Sequence, residues 1–174
     1  MKKALFLDRD GVVNVEINYL YKIEDFKFID GIFKLCHYYQ NLGFMIFIVT
    51  NQSGIARGYY SEDDFDKLSR WMIKEFKKNG IEIKKVYFCP HHPDISSTCQ
   101  CRKPNPGMIL QAQREFNIDL QNSILVGDKE SDIESALNAG IKESYLFDEK
   151  KIHNKTKATK IVSKLEDIYN AYTK

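Results

Sequence analysis

Long hydrophobic runs are missing from this chain. The longest uninterrupted apolar stretch, residues 44–49, has six residues, whereas a helix crossing a bilayer needs about 20, so a membrane protein is not expected. A targeting segment is not expected either. After Met1-Lys2-Lys3 only Ala4-Leu5-Phe6-Leu7 precede the first acid, Asp8, too few for the apolar core of a signal peptide, and the expected location is cytoplasmic. Charge of one sign is not in excess. With 26 basic against 24 acidic residues the net charge is +2, which offers nucleic acid no electrostatic footprint. Four prolines and nine glycines are too few for a collagenous or low-complexity chain, and 43% hydrophobic with 13% aromatic residues is ordinary for a globular one. The 174 residues suit one domain, 1–174, with no room for two full-sized ones. A chain of this length buries roughly 70% of its extended surface, so its core needs no disulfide framework. Cysteine is scarce too, at four. In a reducing compartment thiols stay reduced, and Cys89, Cys99 and Cys101 share one short stretch with His91, which reads as a metal site rather than as disulfides.

What is present is an alternation of two patterns. Five short runs rich in Phe, Ile, Leu and Val, at 4–7, 44–49, 86–88, 123–126 and 144–147, lack polar alternation, as strands covered on both faces do. Between them lie helix-period segments at about 31–42, 61–79, 107–116 and 131–139, with a last one at 163–172. In 61–79, Ser61 with Asp64 resembles a capping box, Phe65, Leu68, Met72 and Phe76 keep one face apolar, and Gly80 supplies the stop. Alternating strands and helices predict an open, doubly wound, mostly parallel α/β sheet of Rossmann-like type. Cys36, on an apolar helix face, is expected in the core. The segment 150–160, with five lysines and no acid, is expected to be a solvated loop before the final helix.

Asp8, Thr50, Cys89 and Asp128 each stand at or just past the last apolar residue of an expected strand. Ligands of open parallel sheets bind outside the carboxyl ends of the strands, so four separate segments point at one rim. In Asp8-Arg9-Asp10-Gly11 two carboxylates two apart can divide labour. An ionised Asp8 can attack phosphorus without a base, and Asp10 can protonate a leaving oxygen and later deprotonate water; alone, the pair also fits a plain turn or a metal-binding loop. In Thr50-Asn51-Gln52-Ser53-Gly54-Ile55-Ala56-Arg57-Gly58 a hydroxyl and successive backbone N–H groups can hold phosphate oxygens, with Arg57 available to a second anion. Asp128 and Asp132, four apart at a strand-to-helix junction, suit Mg²⁺ and the orientation of its water, or simply match a helix dipole.

Cys89-Pro90-His91 and Cys99-Gln100-Cys101 supply three thiolates and an imidazole, the donors of a closed, structural Zn²⁺ site. His92 is the rival of His91, which is favoured. Directly after this loop, residues 89–101, come Arg102 and Lys103. Lys103 is placed to neutralise a transferring phosphoryl group and Arg102 to grip another part of an anionic substrate.

Asp-x-Asp-Gly, a strand-end Thr, a Lys and Gly-Asp-x-x-x-Asp, in that order, resemble the haloacid dehalogenase (HAD) superfamily of Mg²⁺-dependent phosphotransferases over about residues 3–146. Within it, the Thr50–Gly58 run, Cys89-Pro90-His91-His92-Pro93 and Cys99-Gln100-Cys101-Arg102-Lys103-Pro104 resemble the heptose 1,7-bisphosphate 7-phosphatase family. That resemblance implies Asp8 as nucleophile, Asp10 as general acid/base, and Thr50 and Lys103 as supports of the phosphoryl group. It implies Mg²⁺ on Asp8, the Asp10 backbone carbonyl and Asp128, with Asp132 behind them. It further implies substrate contacts from Glu16, Asn18, Tyr19, Asn51, Gln52, Ser53, Arg57, Arg102 and Lys129. Asn18 stands where the family usually has Gly. The expected product is heptose 1-phosphate for nucleotide-activated heptose synthesis, as in lipopolysaccharide core or a related glycan. Only 41 residues separate Asp8 from Thr50, so no large cap domain is expected. The expected partner is a small phosphorylated sugar, with neither nucleic acid nor membrane, and the expected assembly is a monomer. Two alternatives stand beside this reading. One is a histidinol-phosphate phosphatase, which shares the Asp pair and the zinc loop; the other is a zinc-stabilised binding module without turnover.

Overall fold

The structure is a computed structural model, and residues 1–170 are described. Six strands form one sheet: β1 (Ala4–Leu7), β2 (Met45–Asn51), β3 (Ile83–Cys89), β4 (Ile124–Gly127), β5 (Glu143–Phe147) and β6 (Lys160–Val162). Their order is β3-β2-β1-β4-β5-β6, and every pairing is parallel. Four helices connect them: α1 (Ile32–Asn41), α2 (Glu62–Lys78), α3 (Gly107–Phe116) and α4 (Glu130–Ala139).

Strand alternation divides the core into two layers. Leu5, Leu7, Ile46 and Ile48 face one side, where they pack with Leu35 and Cys36 of α1 and Leu68, Met72 and Phe76 of α2. Ala4, Phe6, Phe47 and Val49 face the other, against Met108, Ile109 and Ala112 of α3 and Ile133 and Ala136 of α4. Helices therefore cover both faces, and the sheet is doubly wound as expected. The second helix begins as its sequence predicts: Ser61 Oγ accepts from the Asp64 N–H while an Asp64 carboxylate oxygen accepts from the Ser61 N–H.

Two expectations are corrected at the edges. The third strand is longer than 86–88 because it is an edge strand. Lys84 and Lys85 are exposed there, and those charges hide the first half from any search for apolar runs. Of the helix expected over 163–172, the described part, 163–170, does not form one. Residues 160–162 instead make β6 against β5, followed by a short 3₁₀ turn, Leu165–Ile168; residues 171–174 lie outside the described residues. The segment before β6 is tied down rather than free. Glu130 accepts from the Thr156 hydroxyl and the Lys157 N–H, and Asp148 accepts from the His153 N–H. No helix among the described residues is long and apolar enough to cross a membrane.

Candidate active site

The first two connections run outward from β1 through β2 to β3, and the chain then returns to β4 on the other side of β1. The crevice between β1 and β4 is where strand order reverses, and there a parallel sheet opens a site. Asp8 leaves β1 with its N–H donating to the Val126 carbonyl of β4 at 3.0 Å, and Asp128 follows β4 directly. The two carboxylates thus meet because their strands are neighbours. Gly11, at φ +92°, is required for this approach: a Cβ there would lie 2.2 Å from Asp128 Oδ2.

Four charges are packed under this rim. Lys103 is 5% exposed, and its Nζ donates to Asp8 Oδ1 at 2.7 Å and to the Val49 carbonyl at 3.0 Å. The same Nζ is 2.5 Å from Asp132 Oδ1. An ammonium has three hydrogens, so these three acceptors satisfy it. Burial works against its charge, yet Asp132 and Asp8 outweigh burial and hold the lysine pKa above its ordinary value. Asp8 is pushed toward its neutral form. Burial raises its carboxyl well above the usual range; Lys103 opposes that, and Asp132, Asp128 and Asp10 add to it. Asp128 is raised to about 6 by burial and then by Asp132, and its Oδ1 is buried without a partner.

Carboxylate oxygens of Asp8, Asp128 and Asp132 lie within 4.8 Å of one another. Three crowded acids with one orphaned oxygen and one lysine need a further cation, and an all-oxygen donor set suits Mg²⁺. Asp132 also accepts from the Lys129 N–H at 3.0 Å, so it caps its own helix while pairing with Lys103. The dipole-matching reading of this residue is thus realised by the cap contact.

Asp10 sits in a cage of N–H donors. Its Oδ1 accepts from Arg9 Nε at 3.2 Å, Arg9 Nη2 at 2.9 Å and Asn14 Nδ2 at 3.0 Å. Its Oδ2 accepts from Gln52 Nε2 at 2.9 Å. Gln52 Nε2 also donates to Thr50 Oγ1 at 2.9 Å, and Gln52 Oε1 accepts from the Tyr60 hydroxyl at 2.5 Å. Burial pushes the Tyr60 phenol up to about 12, so it remains a donor at neutral pH. Arg9, Asn14 and Tyr60 were not singled out from the sequence. Arg9 and Asn14 lie within or beside the Asp-x-Asp motif, which is the one signal that pointed at them; Tyr60 carries no signal without its fold neighbours.

Over these groups opens a cleft of about 500 Å³. It is lined by Asp8, Asp10, Thr50 and Lys103, and by Glu16, Asn18, Tyr19, Asn51, Gln52, Ser53, Arg102 and Lys129. Arg57 is not among its lining residues; its Nη2 lies 2.7 Å from His92 Nε2 instead. Asn51 is engaged from below: its Oδ1 accepts from the Lys103 N–H at 3.0 Å and its Nδ2 donates to the Lys103 carbonyl at 3.2 Å. Lys129 pairs with Glu16 at 3.1 Å. Arg102 donates from Nη1 to the His91 carbonyl at 3.1 Å.

One ligand atom from each of Cys89, His91, Cys99 and Cys101 falls within 4.8 Å of the others. His91 Nδ1 is 3.4 Å from the Cys89 sulfur and 3.3 Å from that of Cys101. Cys89 and Cys99 sulfurs are 3.6 Å apart, near the edge of a zinc–thiolate tetrahedron, about 3.8 Å for bonds of about 2.3 Å. His92 turns away to Arg57, leaving His91 in the cluster. The Cys89 and Cys101 sulfurs are 2.8 Å apart, closer than that edge, so it is the donor set, three thiols and an imidazole, that suits Zn²⁺.

A protein of Campylobacter jejuni named D-glycero-alpha-D-manno-heptose-1,7-bisphosphate 7-phosphatase is 55% identical over 149 residues, covering 86% of this chain and 84% of that one. This chain belongs to the heptose-1,7-bisphosphate 7-phosphatase family. A Burkholderia mallei member is 52% identical over 150 residues, 83% of this chain and 79% of its own. A Yersinia pestis member bearing the beta-anomer name is 50% identical over 143 residues, 79% and 76% of the two chains. The HAD-hydrolase-like family model matches residues 100–167, so family likeness continues past residue 146, the bound of the sequence resemblance, through β6 and into the 3₁₀ turn. A solved 7-phosphatase structure, D,D-heptose 1,7-bisphosphate phosphatase from B. bronchiseptica complexed with magnesium and phosphate, superposes with a TM-score of 0.85 at 27% identity, covering 98% of each chain.

Proposed function

We propose that this chain hydrolyses the C7 phosphate of D-glycero-D-manno-heptose 1,7-bisphosphate, with Mg²⁺ as catalytic and Zn²⁺ as structural ion. The observation that carries the reading is the buried Asp8–Lys103 pair at the strand-order reversal, with Asp128 and Asp132 beside it and Asp10 on the cleft wall. Family membership supports the substrate, and the Mg²⁺ and phosphate in the B. bronchiseptica relative support the ion. When bound by Asp8, the Asp10 backbone carbonyl and Asp128, Mg²⁺ would offset the charge of the phosphoryl group and of the crowded acids.

The chain's own groups then divide the chemistry. An Asp8 oxygen attacks phosphorus, the bond from phosphorus to the C7 oxygen breaks, and Asp10 delivers a proton to that oxygen. Asp10, now ionised, takes a proton from water; the water oxygen attacks phosphorus, the bond to Asp8 breaks and inorganic phosphate leaves. Lys103 and the Thr50 hydroxyl hold phosphoryl oxygens through both steps. Glu16, Asn18, Tyr19 and Lys129 face the sugar. Arg102 spends one N–H on His91, and its other N–H groups are available to the second phosphate. The thiol cluster suits a reducing cytoplasm.

The test is a comparison of both anomers of the bisphosphate with histidinol phosphate and with heptose 7-phosphate. A charge-assisted Arg–phosphate contact contributes about 1.5 to 3 kcal/mol, so the bisphosphate should exceed the monophosphate in kcat/KM by about one to two orders of magnitude. Arg102→Ala should erase most of that preference. Equal turnover of histidinol phosphate would overturn the substrate assignment while leaving the phosphatase chemistry in place.

A further inference from the structure

Arg9 is the largest fully buried side chain among the described residues, at 1% exposure, and the chemistry above gives it no task. Its surroundings are specific. Nε and Nη2 both reach Asp10 Oδ1, and Nη2 reaches Oδ2 at 3.0 Å. The same Nη2 donates to the Leu20 carbonyl at 2.9 Å, in the stretch that brings Glu16, Asn18 and Tyr19 to the cleft. Its guanidinium carbon stands 5.6 Å from the Phe65 ring centroid of α2. Nη1 is buried with no acceptor.

We infer that Arg9 is a positioning residue for Asp10, holding the acid/base carboxylate in one pose at the cleft wall and tying that pose to the sugar-facing loop. Three features argue for this over packing alone. A buried guanidinium with an unpartnered N–H is costly, and an apolar side chain of similar volume would often stabilise the fold as well or better. The fork of N–H groups is spent on the second acid of the Asp-x-Asp pair, while Lys103 serves the first. Nε and Nη2 approach the one Asp10 carboxylate side by side, with Nη2 also on the Leu20 carbonyl, a rigid fork that a single lysine ammonium does not reproduce.

The inference rests on Asp10 being the acid of the proposed phosphatase reaction, and the test separates the two. Phenyl phosphate and p-nitrophenyl phosphate make no sugar contacts and differ in the basicity of the leaving oxygen. The term kcat/KM reports the steps up to departure of that oxygen, so a misplaced acid penalises phenyl phosphate more. In Arg9→Lys and Arg9→Gln the ratio of kcat/KM for p-nitrophenyl over phenyl phosphate should rise by about tenfold or more, in the same direction as in Asp10→Asn. Partial unfolding lowers both rates by one factor and leaves the ratio unchanged, so the ratio isolates positioning from stability. A wild-type ratio in both Arg9 variants, or failure of both to fold, makes Arg9 structural and overturns the inference. An unchanged ratio in Asp10→Asn identifies the acid/base assignment itself as the part that failed.

Discussion

Lys103 is the buried cation that two of the site's carboxylates, Asp8 and Asp132, share. Its ammonium is the one cation touching Asp8 and Asp132 in a buried site, so replacing it leaves two carboxylates facing each other without compensation. Lys103→Met should cost about 3 to 5 kcal/mol of unfolding free energy in denaturant titrations. It should also lower turnover by at least about a hundredfold, because the phosphoryl charge loses a fixed partner. Added Mg²⁺ should recover part of the stability and little of the turnover. Asp8→Asn should behave in the opposite way. The amide is isosteric, so the fold survives, but turnover measured as phosphate release should fall by far more than tenfold, or about 1.4 kcal/mol of barrier. At this scale the sequence was legible in kind and illegible in direction. Asp8, Thr50 and Asp128 stand at strand ends, and Asp8, Asp10, Thr50 and Lys103 line one cleft, with Asp128 beside Asp8. Arg57 carries the same motif signal, yet it goes to His92, and Asn51, at the cleft, also holds the Lys103 backbone. Which partner a side chain meets is set by residues tens of positions away, and no local pattern encodes that.

Among the elements, the cysteine loop and the carboxyl-terminal segment illustrate opposite cases. Cys89 ends β3 and pairs in register with Asn51 of β2, while Cys101 immediately precedes Arg102 and Lys103. A metal at this cluster therefore fixes both ends of the loop that delivers the two cations. The Cys99→Ser, Cys101→Ser double variant should lose its zinc by elemental analysis and should lower kcat/KM for the bisphosphate by about tenfold or more, with protease cleavage appearing inside residues 89–101. Full activity in the zinc-free form would refute this link. The loop was legible because ligand chemistry is rare enough to be recognised from four residues. The final segment was not, because Leu165 and Ile168 are both buried and their spacing of three suits a single 3₁₀ turn as well as a helix. The strand before it, Lys160–Val162, has three residues, too short for any periodicity to register.

For the whole molecule the acidic crevice links stability to pH and to Mg²⁺. In the metal-free protein the Asp128 carboxyl stands at about 6, above its ordinary value of 3.8. A carboxyl raised in this way contributes stability that is fully present below 3.8 and is lost as pH rises through about 6. Mg²⁺ binds the ionised form, so the rise in Tm on adding it should be small at about pH 5 and larger at about pH 7.5. Equal increments at both pH values would show that the ion does not engage this carboxylate.

The central position of β1 also bears on the order in which the molecule can be made. Its two neighbours are β2 and β4, and Asp8 waits for an ion-pair partner 95 residues further along the chain. On the ribosome, a nascent chain that has emerged only as far as α2 can pair two of the six strands, β1 and β2, but has neither β4 to cover the other edge of β1 nor Lys103 to neutralise its acid. Folding is therefore expected late in synthesis, when β4 has cleared the exit tunnel, and arrested chains shorter than that should remain open to proteases that the released protein resists.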